Sequence, residues 1–120
     1  NRQPEQTVEQ VWFAGVHSDV GGYHRQRGLA NISLHWMLGK AVAAGMEVDR
    51  ARLRAARYRP DPHGESQESY TGFWHFRGEH VREIPAGSKV HASVWARRSE
   101  PDNRYQPPNL PRREDVETVD

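Results

Sequence analysis

Val11-Trp12-Phe13-Ala14-Gly15-Val16-His17-Ser18-Asp19-Val20-Gly21-Gly22-Tyr23 is the stretch on which the rest of the chain is read. Residues 11–16 form a compact apolar run, the pattern of a strand buried on both faces, and it stops abruptly at His17, Ser18 and Asp19 before a glycine pair. An α/β enzyme presents polar side chains in this way. In open α/β sheets the reactive groups gather in the crevice beyond the carboxyl ends of the strands, so His17, one step past such an end, is a candidate general base. Gly21 and Gly22 can adopt positive φ and let the backbone approach whatever His17 faces. Asp19 can accept hydrogen bonds from the amides that follow it, which makes loop shaping its expected role.

Outward from this stretch the hydrophobic period changes. Ile32, Leu34, Met37, Leu38, Ala41 and Val42 recur near the helical repeat, which predicts a core-facing crossover helix with Asn31 as N-cap, Gly45 at C′ and Met46 folding back. Small residues at Gly39, Ala41, Ala43 and Ala44 would let it lie close against a sheet. Trp36 and His35 are expected to pack or face solvent. Asp49 is placed to cap a second, short helix carrying Arg50, Arg52, Arg54, Arg57 and Arg59 and ended by Pro60. Its arginines fall all round the helix, the distribution of a solvated or ion-paired surface more than of an anion site.

Residues 61–68 have loop composition. The aromatic cluster Tyr70, Phe73, Trp74 and Phe76, with the apolar residues of 81–84, is read as a hairpin and a small aromatic core beside a pocket. Residues 90–98 are expected to form a short helix. Prolines 101, 107, 108 and 111 then exclude regular structure, and the polar residues 112–120 are read as a disordered tail beyond a domain portion spanning 1–111.

Composition narrows the function classes. The chain has 120 residues, of which 35% are hydrophobic, and the apolar ones concentrate in residues 11–46. That is lean for a self-sufficient core, so the expectation is the C-terminal fragment of a larger α/β domain, its upstream segment being the partner that completes it. Cysteine is absent, which excludes disulfides and thiolate chemistry. The longest apolar stretches are far too short to span a bilayer. A net charge of +1 argues against a nucleic-acid partner.

Of the seven histidines, only His17 has position and neighbours that together suggest catalysis. An imidazole can carry a proton to and from a serine hydroxyl, with a carboxylate on its far nitrogen fixing the tautomer. In α/β-hydrolases the triad runs serine, acid, histidine, with the serine in a G-x-S-x-G elbow. No such pentapeptide occurs here, as expected of a segment holding only the last member and inactive alone. His17 and Asp19 have metal-ligand chemistry but no third ligand can be named, so neither metal nor cofactor is expected. His91 and Ser93, two apart on a short helix, are read as capping or packing residues rather than a nucleophile pair. Ser18 has no glycine-flanked elbow around it.

Residues 13–23, with Leu29, Trp36-Met37 and Ala44-Gly45-Met46, resemble the last part of an uncharacterised α/β-hydrolase domain family that includes the catalytic domain of type VI secretion phospholipase effectors. Shorter matches follow at Asp61-Pro62, Glu68-Ser69-Tyr70, Arg82-Glu83-Ile84 and Val90-His91-Ala92-Ser93-Val94, and through residues 105–111. The resemblance implies a serine hydrolase of carboxylic esters, with phospholipid or another lipid ester as substrate and His17 as the catalytic base. The nucleophile and acid then lie upstream, and Asp19, Ser18, Gly21 and Gly22 shape the loop or support it. Tyr70, Phe73 and Trp74 would line the approach of a lipid, with transient membrane-surface contact, and the parent would be a soluble bacterial cytoplasmic protein open to export by a secretion system. The alternative expectation is a non-catalytic interaction or structural fragment that completes another core.

Overall fold

In the computed structural model, residues 6–67, 81–101 and 105–120 are described. Three short strands form a parallel sheet in the order β1 (Val11–Trp12), β2 (Lys89–His91), β3 (Glu117–Val119). Val11 pairs with Lys89 and Trp12 with Val90, while Lys89, Val90 and His91 pair with Glu117, Thr118 and Val119. Parallel neighbours need crossovers. The link from β1 to β2 carries α1 (His17–Gly21), α2 (Gly28–Ala43) and α3 (Arg50–Leu53), and the link from β2 to β3 carries α4 (Ala92–Ser99). The architecture is α/β.

The central strand carries the burial. Val90 is completely enclosed, and Ala14, Leu29, Ile32, Val94 and Trp95 close around it, with Trp12, Phe13, Tyr105, Leu110 and Val116 packed against them. Val90→Ala removes two methyl groups from this site and should lower stability by about 2 kcal/mol, read as a shift of the urea midpoint. A shift below about 0.5 kcal/mol would show that the sheet is not the core.

Several expectations are corrected here. The strand read over residues 11–16 is only Val11–Trp12, and it is half-buried because among the described residues it has a neighbour on one side only. Residues 90–98 split between the last two residues of β2 and most of α4. The tail expected to be disordered forms a 3-10 turn at Arg113–Asp115 and then β3, which completes the sheet. Its polar side chains suit an edge strand exposed on one flank.

α2 faces the core only at its first turns, where Leu29, Ala30, Asn31 and Ile32 are buried. Met37 is 58% exposed and nothing approaches a Cβ built at Gly39, so the close contact with a sheet expected of the small residues is not made there. The reason is length. A 16-residue helix runs about 24 Å, whereas three-residue strands cover only about 10 Å, so α2 is longer than the strands it packs on. Asn31 is not the N-cap, which is Arg27. It lies inside the first turn, buried, and its Nδ2 donates to the carbonyls of Arg57 and Arg59, both at 3.0 Å.

The C-terminal end of α2 follows the sequence reading. Gly45 has φ +96, its N–H donates to Val42, and the Met46 N–H donates to Ala41, the two bonds of a Schellman ending. Asp49 caps α3 by accepting from the Arg52 N–H at 3.0 Å. That helix stops at Leu53, however, and a separate 3-10 turn, Ala56–Tyr58, follows, so Arg57 and Arg59 lie beyond it. The hairpin read around residues 70–84 falls largely outside the described residues.

Glu9 joins the layers at the amino end of the sheet. Its carboxylate accepts from Lys40 on α2 and Lys89 on β2, each at 2.7 Å, and these two ammonium groups hold it below the usual carboxylate range.

Candidate active site

The chain leaves β1 at its carboxyl end and turns within four residues into α1, so His17 stands as the first residue of that helix. Gly15 makes the turn. It has φ +105, and a Cβ there would come within 2.8 Å of the Asp19 Cβ, so both its conformation and its space exclude a side chain. Phe13 meets Trp36 edge-on at 5.8 Å and stacks on His91 at 4.9 Å, fixing the base of the loop between α2 and β2.

Asp19 is 4% exposed. Its Oδ2 accepts from the Val16 N–H at 3.1 Å and from the Ser66 hydroxyl at 3.1 Å, and the Gln67 N–H reaches both oxygens, at 3.3 and 3.2 Å. The first of these bonds ties the start of α1 to its third residue, which is half of a capping box. The others clamp a chain segment almost fifty positions away onto the loop. The carboxylate is therefore occupied with backbone and hydroxyl donors, none of them on His17.

His17 itself is exposed, and among the described residues its side chain makes no hydrogen bond or ion pair. Its neighbour Ser18 is half-buried and lies 2.9 Å from the Nε2 of His24, a contact that sequence reasoning missed. The signal was the glycine pair. Gly22 has φ +84 and caps α1, with its N–H and that of Tyr23 both donating to the Ser18 carbonyl, so the chain folds back and brings His24 over Ser18. Gly21 is helical, and only Gly22 uses the positive φ expected of the pair. Ser33 on α2 donates to the Val20 carbonyl at 2.7 Å, which docks α1 on α2.

His91 ends β2 and caps α4. Its Nδ1 accepts from the Ser93 N–H at 3.2 Å and lies 2.8 Å from the Ser93 hydroxyl, so the two side chains do meet, in the capping contact and not as neighbours along a helix. Burial lowers the His91 pKa from its ordinary value, and the Asp120 carboxylate partly opposes this. The folded state prefers the neutral ring, so this contribution to stability is complete above the ordinary value of 6.5 and is lost as pH falls through the lowered folded value. The wild type should lose urea midpoint relative to His91→Asn, a cap that does not titrate, across that window. Parallel curves for the two proteins would remove His91 from the acid response.

Cavities open at two places among the described residues. One, of about 450 Å³, lies at the amino ends of β1 and β2 between Glu9, Trp12, Pro85 and Lys89. It is at the wrong end of the strands for the chemistry of an open α/β sheet. The other, of about 770 Å³, is bounded by residues 25–28 and 56–62. Tyr70, Phe73 and Trp74, expected to line a pocket, lie outside the described residues. Among the described residues no helix is long and apolar enough to cross a membrane, and no three His, Cys, Asp or Glu side chains group as metal ligands.

Residues 1–40 match the model of the family described as T6SS, phospholipase effector Tle1-like, catalytic domain. The first third of the chain is similar to that family. The match takes in β1, the loop, His17 and most of α2. No curated protein and no solved structure matches the chain.

Proposed function

We propose that this chain is part of an α/β-hydrolase-type serine hydrolase acting on lipid esters, in which His17 is the general base and then the general acid of an acyl transfer. The match of residues 1–40 to a phospholipase effector catalytic domain carries the reading. The position of His17 supports it, since an exposed imidazole just past the carboxyl end of a parallel strand is free to meet a nucleophile and a substrate from outside this loop. In this scheme a serine from an upstream segment attacks the ester carbonyl while His17 takes its proton. The proton is then given to the departing alcohol, and water repeats the sequence on the acyl-enzyme. A carboxylate, also upstream, holds the imidazole. Asp19 and the glycines shape the loop, and export by a type VI secretion system belongs to the same reading.

The exposed apolar residues of α2, Leu34 and Met37, favour a second reading in place of the first, a non-catalytic interaction or structural fragment that completes another core. Hydrolysis by the full-length protein separates the two. Fatty acid released from a phospholipid, or alcohol from a short p-nitrophenyl ester, supports the enzyme. Inactivity on every ester leaves the structural role.

A further inference from the structure

We infer that the cavity between residues 25–28 and 56–62 is a binding site for a phosphate ester. Arg25 and Arg27 approach it from the chain that follows His24, and Arg57 and Arg59 approach it from the segment beyond α3. The four arginines, two pairs about thirty positions apart in sequence, line one opening of about 770 Å³, and the Arg57 guanidinium is held at its edge, donating to the Tyr58 hydroxyl at 2.8 Å and lying 4.6 Å from the centre of that ring. Among the described residues none of the four forms an ion pair. The carboxylate on the rim, Asp61, is engaged by its own turn, accepting from the His63 N–H at 2.9 Å. Gly28, the first residue of α2, also lines the opening, so the positive end of a 16-residue helix adds to the field.

Polar side chains behind the lining hold its backbone in place. Asn31 donates to the carbonyls of Arg57 and Arg59, and His35 Nε2 lies 2.9 Å from the carbonyl of Tyr58, so this backbone is pinned to α2. The buried Arg97 donates to the carbonyls of Pro62 and Gly64, at 2.8 and 2.7 Å. The Asp61 N–H donates to the Gly28 carbonyl at 3.1 Å, and a Cβ at Gly28 would stand 2.9 Å from the Asp61 Cβ. A surface needing only solvated arginines would not require this scaffolding. Planar guanidinium groups held on a fixed frame suit the paired oxygens of a phosphate.

The test uses the full-length protein and titration calorimetry with glycerol phosphate, and it does not depend on ester hydrolysis. Arg57→Gln with Arg59→Gln keeps the backbone carbonyls that Asn31 holds, and Arg50→Gln with Arg52→Gln removes the same two charges from α3, outside the cavity. Saturable binding is expected, weakened about tenfold or more by the first pair and less than about twofold by the second. Co-sedimentation with phosphatidylglycerol vesicles, against phosphatidylcholine vesicles, identifies the source of the phosphate. Retention lost with the first pair assigns a lipid headgroup, and calorimetric binding without retention assigns a soluble ester. Equal weakening by the two pairs would reduce the cavity to general attraction of anions, and the absence of saturable binding to either probe would remove the site.

Discussion

Replacing His17 with alanine in the full-length protein is expected to lower ester turnover by about a thousandfold or more while leaving the fold intact, the effect of deleting a triad base. The fold should survive because the exposed His17 side chain has no hydrogen-bond or ion-pair partner among the described residues. Its removal costs no packing and leaves no buried donor unpaired. A thousandfold corresponds to about 4 kcal/mol of transition-state stabilisation, far more than a surface substitution contributes to stability. His24→Ala is the informative companion, because His24 lies on the same loop and contacts Ser18 at 2.9 Å. The proposed mechanism gives the large loss to His17 and a smaller one to His24. If His24→Ala abolished turnover while His17→Ala kept it, the base would be misassigned, and a different pair would have to be sought on this loop.

What could be read from the sequence was local. The ending of α2 at Gly45 and the cap at Asp49 each depend on residues within five positions, and both form as the sequence predicts. β2 and β3 were illegible because they are three residues long and mostly polar, Lys89–His91 and Glu117–Val119, so neither carries a periodic signal. They exist through pairing with each other and with β1, at separations no window along the chain can see. Asn31 illustrates the same limit. Helix chemistry makes it a reasonable N-cap, yet its partners are carbonyls 26 and 28 positions away. Tertiary contact decided its role.

The four-arginine cavity was also hidden. The sequence places Arg57 and Arg59 on one helix with Arg50, Arg52 and Arg54, where the charges would point in all directions. The break after Leu53 separates them, and Arg57 and Arg59 then line one cavity with Arg25 and Arg27. For the site around His17, the sequence pointed to a strand followed by a glycine-bearing turn, but the strand ends at Trp12 and His17 opens a short helix that carries too few residues for a periodic signal. Sequence did not supply the clamp on Asp19.

That clamp predicts the second large effect. Asp19→Ala should destabilise the protein by about 3 kcal/mol, because it strips an acceptor from the N–H groups of the half-buried Val16 and Gln67 and from the hydroxyl of the exposed Ser66, and a donor left unpaired away from water costs about 1–3 kcal/mol. Some of that loss is offset if water enters the space, so the cost falls short of three full penalties. Asp19→Asn keeps the size and one acceptor but places an amide NH₂ against the remaining donors, and it should lose less than alanine does. The order of midpoints in urea is then wild type, Asn, Ala. Turnover should follow a different rule. Well below the midpoint both variants are folded, and the released Val16 N–H no longer fixes the start of α1, so kcat should fall about tenfold through misplacement of His17. A loss of stability with unchanged kcat would confine Asp19 to the fold. A loss of less than about 1 kcal/mol would mean that the loop is held by Gly15 and the α1–α2 contact, with the buried carboxylate dispensable.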